Sequence, residues 1–177
     1  IYVDFTKPAM LNRIKQHNVH QEGLIKALGD LKKQPNLTVI DATAGLGRDS
    51  FLLAAIGAQV IALERHPLIF QLLEDGIKRG VKCREISEIL SHIHCQHADA
   101  VDFIGQCSTA VDVIYLDPMF ATKQNNAKVK KEMQILQQCV DEQMDESALL
   151  EAALEMPHKR IIVKRHKNAP YLNNSKP

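Results

Sequence analysis

No apolar run in this chain approaches the ~18–20 residues that a membrane-spanning helix needs. The first residues mix Asp4 and Lys7 with apolar neighbours, so no signal peptide is expected in them. Cysteine is scarce: Cys83, Cys95, Cys107 and Cys139 stand far apart with no C-x-x-C pair, so neither a zinc knuckle nor a disulfide framework is expected. Reduced thiols make the cytoplasm the expected location. The eight histidines show no H-E-x-x-H spacing, and no metal is expected. Charge of one sign is also lacking. The net value of +1 argues against a general nucleic-acid coat protein. Internal repeats and low-complexity segments are absent.

What is present is an ordinary globular composition, 45% hydrophobic and 24% charged over 177 residues, enough for one domain with a real core. The chain begins at Ile1 and is expected to be a piece of a longer protein. Charge is uneven along it. Lys123, Lys128, Lys130 and Lys131 form one basic stretch, and Lys159, Arg160, Lys164, Arg165 and Lys167 another. Each is readable as a phosphate-holding patch or as a solvated face.

Short β-branched runs alternate with longer helical patterns, the signature of a parallel sheet built from βαβ units. Leu37–Asp41, Gln59–Glu64, a segment within Ile93–His97, Val111–Leu116 and Arg160–Lys164 read as five strands. Between them, Ser50–Ile56, Pro67–Gly80, Glu85–His92 and Glu146–Glu155 read as helices. Val129, Met133, Leu136 and Val140 give a further amphipathic helix by their spacing. Upstream, Val3–Phe5 reads as a strand, Gln21–Leu28 as a short helix and Lys32–Asn36 as a polar connector. The last residues, 168–177, read as irregular. The expected fold is α/β and Rossmann-like, a mostly parallel central sheet with helices on both faces. Residues 1–35 form an N-terminal extension packed on a core of residues 36–177.

Four segments carry chemistry, and all fall at strand ends, where a doubly wound sheet binds its ligand. Asp41-Ala-Thr-Ala-Gly45-Leu-Gly47-Arg48-Asp49 is an acid followed by a glycine turn. Glycines at 45 and 47 permit a tight turn and close backbone approach. The dinucleotide pattern wants a third glycine where Ser50 stands, so a nicotinamide cofactor is disfavoured. Asp41 can face the cationic amino group of a methionine-derived ligand. Glu64 closes the second strand about 20 residues on, where an acid accepts hydrogen bonds from ribose hydroxyls. Asp99 follows the third strand and serves either an adenine amine or a helix N-cap.

Asp117-Pro118-Met119-Phe120 ends the fourth strand and separates the possibilities. An exocyclic base amine is a poor nucleophile because its lone pair is delocalised into the ring. A carboxylate and a neighbouring carbonyl that accept its N–H bonds localise that pair. Pro118 fixes the turn, and Phe120 offers a stacking face. The pattern is that of an amino-group methyltransferase using S-adenosyl-L-methionine. Read from the residues alone, the acceptor stays open between guanine, adenine and a protein side-chain amide.

D-A-T-A-G-L-G-R-D, L-E-R at 63–65, Y-L-D-P-M-F, V-K-K-E-M at 129–133 and V-K-R at 163–165 occur in this order. Together they closely resemble the RsmJ family of bacterial small-subunit ribosomal RNA guanine-N2 methyltransferases, over about residues 3–170. The resemblance implies rRNA processing, with ribosomal RNA or the small ribosomal subunit as partner. It implies cofactor contacts from Arg48, Asp49, Glu64, Arg65, Asp99, Ala100 and Asp117. It makes Lys123, Lys130, Lys131 and Lys164 candidates for RNA phosphates. Three departures stand out. Ala121 replaces a proline usual after D-P-M-F, and Gln16–His20 replaces a glycine-rich stretch. A terminal β-hairpin and upstream residues have no counterpart here. A missing hairpin would expose a sheet edge.

Overall fold

A computed structural model describes residues 2–107, 109–118 and 145–165. Its centre is a five-stranded sheet, all parallel, in the order β3-β2-β1-β4-β5. The strands are β1 (Thr38–Asp41), β2 (Gln59–Glu64), β3 (Ile93–His97), β4 (Val111–Leu116) and β5 (His158–Val163). The helices are α1 (Pro8–Ile14), α2 (Gln16–Val19), α3 (Gly23–Ala27), α4 (Arg48–Ala55), α5 (Pro67–Gly80), α6 (Ser87–Ser91), α7 (Ala100–Gln106) and α8 (Glu146–Glu155). A 3-10 turn, Gly29–Lys33, precedes β1.

Strand period explains the two layers. Along β4 all six residues are buried. Val113 and Tyr115 belong to the core beneath α4, α5 and α6, whereas Ile114 and Leu116 belong to the core beneath α7 and α8. Val39 and Ile40 on β1 divide the same way. Near-continuous apolar runs are therefore required here, because both faces of the sheet are covered.

The helix starts are locally encoded. Pro67 opens α5. Asp99 caps α7 by accepting from Val101 N at 2.8 Å, and Asp145 caps α8 through the amides of Ser147 and Ala148.

The N-terminal segment departs from the sequence expectation. Residues 3–5 do not pair with the sheet. Val3 and Phe5 are instead buried side chains of the α4–α5 layer, with Phe5 tilted against Phe51 at 5.0 Å between centroids. Isolated apolar residues bury as well under a helix as in a strand, and the Val3 carbonyl finds its donor in Arg79 on α5. Val19, Ile25 and Leu28 join the same core, which places α1–α3 against the α4 side of the domain. The helical segments Pro8–Ile14 and Gln16–Val19 were not foreseen. β5 begins two residues earlier than its apolar run suggested, and α4 begins at Arg48, immediately after Gly47.

Candidate active site

The strand order reverses between β1 and β4, so a crevice opens at the carboxyl ends of these two neighbours. The loop from β1 to α4 lines it and is fastened on both sides. Ala42 N donates to the Tyr115 carbonyl on β4, and Ala44 N to the Leu63 carbonyl on β2, each at 3.0 Å. Gly45 and Gly47 have φ of 54° and 71°, a region that side-chain-bearing residues rarely occupy. Their surroundings differ. A Cβ on Gly47 would lie 2.5 Å from Leu73 Cδ1, so this glycine is needed for packing. A Cβ on Gly45 would find only the Thr43 carbonyl at 3.9 Å, so this backbone borders open space where a ligand can approach.

Glu64 stands beside that opening. Its Oε2 accepts from Gly45 N at 2.9 Å and its Oε1 from His66 N at 2.7 Å. Each carboxylate oxygen retains a further lone pair, so the side chain is oriented without being saturated. Arg65 follows at the strand end, and Asp99 with buried Ala100 closes the β3 side. The Asp99 cap uses Oδ1, so the capping reading of this residue holds. The side chain of Arg48, the first residue of α4, has no hydrogen bond or ion pair to another described residue.

Asp41 turns inward rather than towards a ligand. It is 1% exposed, accepts from Ser50 Oγ at 2.5 Å and from Thr43 N at 3.2 Å, and ties β1 to α4. Burial pushes its carboxyl up to about 7, against the opposing hydrogen bonds from Ser50 and Thr43. Ser50 thus has a positive reason to occupy the place of the third glycine: its hydroxyl is the partner of a buried acid.

On the β4 side, Asp117 N donates to Thr43 Oγ1 at 2.7 Å, joining the glycine loop to the Asp-Pro dipeptide. Asp117 Oδ2 accepts from Lys164 Nζ at 2.6 Å, and the same ammonium reaches Asp49 Oδ2 at 2.7 Å. Asp49 Oδ2 also accepts from the Tyr115 hydroxyl at 2.6 Å. Lys164 therefore spans two carboxylates in this arrangement. Burial raises the Asp117 carboxyl above its ordinary range, with Lys164 opposing the rise. The Lys164 ammonium is itself raised: desolvation works against it, but Asp117 and Asp49 outweigh that. Burial, then Asp49, lifts the Tyr115 hydroxyl, so it stays a donor.

The structure thus brings Gly45, Gly47, Arg48, Asp49, Glu64, Arg65, Asp99, Ala100, Asp117, Pro118 and Lys164 to the carboxyl ends of the strands. Phe120, Lys123, Lys130 and Lys131, with the helix expected through Val129–Val140 and the tail at 168–177, lie outside the described residues. Thr43, Tyr115 and the paired role of Ser50 were missed by motif reading. Each acts through a partner distant in the chain or on another element.

A buried sheet switch point, open backbone at Gly45 and an oriented acid at Glu64 suit a nucleoside cofactor. The half-buried Asp117 is suited to an amine. This combination defines an S-adenosylmethionine-dependent methyltransferase, and the family described as putative SAM-dependent methyltransferase matches residues 1–177. The relatives narrow the class. Proteins named ribosomal RNA small subunit methyltransferase J are 44% identical over the whole chain, in Tolumonas auensis, where the match covers 71% of the relative, and in Haemophilus influenzae, where it covers 69%. The chain belongs to this methyltransferase J family. A SAM-dependent methyltransferase structure from Neisseria gonorrhoeae shares 32% identity at a TM-score of 0.72, covering all of this chain and 68% of that one. A putative methylase from Haemophilus influenzae, 18% identical at 0.55 over 85% of this chain and 74% of its own, shares the fold.

Proposed function

We infer that the chain methylates the exocyclic N2 amine of a guanosine in small-subunit ribosomal RNA, using S-adenosyl-L-methionine. The observation that carries this reading is the Thr43–Asp117 hydrogen bond. It holds the cofactor loop and the amine-orienting carboxylate in one register. The names of the relatives supply the RNA, and the half-buried acid beside Pro118 supplies the amine chemistry.

The cofactor brings an electrophilic methyl group on a sulfonium. Glu64 is proposed to accept from the ribose hydroxyls, with Asp99 and Ala100 on the adenine side. Arg48, Asp49 and Arg65 complete the cofactor contacts at the helix and strand ends. Asp117 Oδ1 has no partner among the described residues and is proposed to accept an N–H of the guanine amine. The Pro118 carbonyl is proposed as the second acceptor. Accepting these bonds localises the nitrogen lone pair in line with the methyl carbon. The bound cofactor would supply the methyl group to that nitrogen, and the amine would give up its proton to solvent. Positioning and preorganised polarity then supply most of the acceleration.

Phe120 is proposed to stack the base, and Lys123, Lys130 and Lys131 to meet RNA phosphates. A shaped or single-stranded RNA segment with an extruded base fits such a site better than a regular duplex. The cytoplasm is the proposed location; among the described residues no helix is long and apolar enough to cross a membrane. The deciding experiment is transfer of labelled methyl groups to small-subunit particles and to free rRNA, followed by nucleoside analysis. N2-methylguanosine at one position is expected. A different methylated base, or a methylated protein, would overturn the acceptor assignment.

A further inference from the structure

Lys164 sits in an unusual position for a residue of a basic stretch. It leaves the sheet one residue after β5, and its backbone N–H still donates to the Leu116 carbonyl at 2.8 Å, immediately before Asp117. That ladder bond fixes the Lys164 backbone relative to the Asp-Pro dipeptide. The side chain then returns across the crevice so that one ammonium meets Asp49 from α4 and Asp117 from β4. Asp49 is steadied from behind by the Tyr115 hydroxyl. The result is a continuous chain, Tyr115–Asp49–Lys164–Asp117, that links the helix following the cofactor loop to the acid facing the acceptor.

We propose that Lys164 is a positioning residue for methyl transfer: its ammonium holds Asp117 by Oδ2, leaving Oδ1 aimed at the acceptor amine, and it does not serve as an RNA phosphate contact. The inference rests on the reading of Asp117 as the amine-orienting carboxylate. Two features of the geometry favour it over a phosphate role. The ammonium spends two of its three donors on carboxylates at 2.6 and 2.7 Å, and release would leave two acids facing each other in a partly buried crevice. A phosphate contact would need that release at every encounter with RNA.

The groups around Asp117 set the sign of the pH effect. Lys164 at the end of β5 is a nearby cation. Asp49 on α4 and Asp41 at the end of β1 are acids, and Tyr115 on β4 is a neutral donor. Arg13 and Glu22, a bidentate pair from the N-terminal helices at 2.7 and 2.9 Å, face Asp49 and Lys164 and cancel one another. Removing the Lys164 charge therefore moves the Asp117 titration to higher pH, and the acid limb of turnover moves with it.

The test compares wild type, Lys164→Met and Lys164→Arg in the full chain, reading kcat and KM for RNA across pH and the salt dependence of RNA binding. Lys164→Met is expected to lower kcat by about 10- to 100-fold, with KM for RNA nearly unchanged and the acid limb displaced upward. Lys164→Arg keeps the charge and so keeps the limb, but its planar fork fits poorly between two acids and lowers kcat several-fold. A raised KM for RNA and a shallower salt slope in Lys164→Met, with kcat and limb unchanged, would overturn the proposal in favour of phosphate contact. Should Lys164→Met not fold, Lys164→Arg decides alone: wild-type kcat in that variant overturns the proposal. Carboxyl NMR of Asp117 in the cofactor-free protein separates this inference from the acceptor assignment. An upward-displaced titration in a folded Lys164→Met variant supports the coupling whichever substrate is methylated, and an unmoved one overturns it.

Discussion

The two ends of the central sheet use the same residue type in opposite ways. At the amino end, Asp112 opens β4 and is fully satisfied. Its Oδ2 accepts from Thr38 N at 2.8 Å and Thr38 Oγ1 at 2.9 Å, its Oδ1 pairs with Lys159 at 2.7 Å, and its own N–H donates to Thr38 Oγ1. Burial alone would raise this carboxyl, but Lys159, Thr38 and Gln34 together hold it well below the usual range. At the carboxyl end, Asp41 is the last residue of β1 and Asp117 follows β4, and burial raises both. One end is an electrostatic fastener across β1, β4 and β5. The other end keeps its acids desolvated: Asp41 is held inward by Ser50 and Thr43, while Asp117 keeps one oxygen open, an arrangement that favours ligand chemistry at the expense of stability. The end of the sheet on which each aspartate lies, and the partners it meets there, decide which does which.

Changing the acids tests that division. The largest effect is expected for Asp117→Ala, which should lower kcat by about 100- to 1,000-fold. Its melting temperature should stay close to wild type, measured by methyl transfer alongside calorimetry. Asp112→Ala should do the reverse. Leaving the Thr38 amide unpartnered and removing the Lys159 ion pair costs about 2–4 kcal/mol by chemical denaturation at pH 7, with transfer per folded molecule unchanged. Because the folded Asp112 carboxyl is depressed, its contribution is present above the unfolded value of about 3.9 and lost as pH falls through the folded one. The gap between wild type and Asp112→Ala should therefore narrow below about pH 4. An equal activity loss in Asp112→Ala would break the comparison.

Within the glycine loop a smaller contrast is expected. Gly47→Ala places a methyl 2.5 Å from Leu73 Cδ1 at a φ of 71°, costing about 2 kcal/mol of stability. Gly45→Ala meets open space, costs about 1 kcal/mol for its φ, and shows mainly as weaker cofactor binding in titration calorimetry. Asp41→Asn should change methyl transfer least and act instead on the pH profile of stability. The Asp41 carboxyl is raised from 3.8 to about 7, so its contribution to stability is present below the unfolded value and lost as pH rises through the folded one. Wild type should lose melting temperature between pH 4 and 7 on this account, and Asp41→Asn should lose less. An unchanged pH slope in Asp41→Asn would place the raised carboxyl elsewhere.

The fold was legible wherever local pattern and tertiary environment agree. The bounds of β2, α5, β4 and α8 follow directly from apolar period, Pro67 and flanking polar residues. Val3–Phe5 misled because three residues carry no usable period, and their burial depends on α5 lying beneath them. The apolar run starts β5 two residues late because His158 and Lys159 look like loop, yet His158 is in register with Val111 of β4 and opens the strand. In the site, Glu64, Asp99 and Asp117 could be named because strand ends are where ligands bind. Thr43 and Tyr115 could not, since each matters only for a hydrogen bond to a residue 74 or 66 positions away.

By itself the sequence determined the alternation of strands and helices, the residues at the strand ends and the order of the chemical motifs. These depend on side-chain period and turn chemistry, which are local. Only the tertiary structure decided that Asp41 faces inward to Ser50, that Asp112 and Asp117 have opposite electrostatic roles at the two ends of β4, and that Lys164 spans two acids. Those outcomes depend on desolvation and on distances between elements, and neither quantity exists until the sheet has assembled.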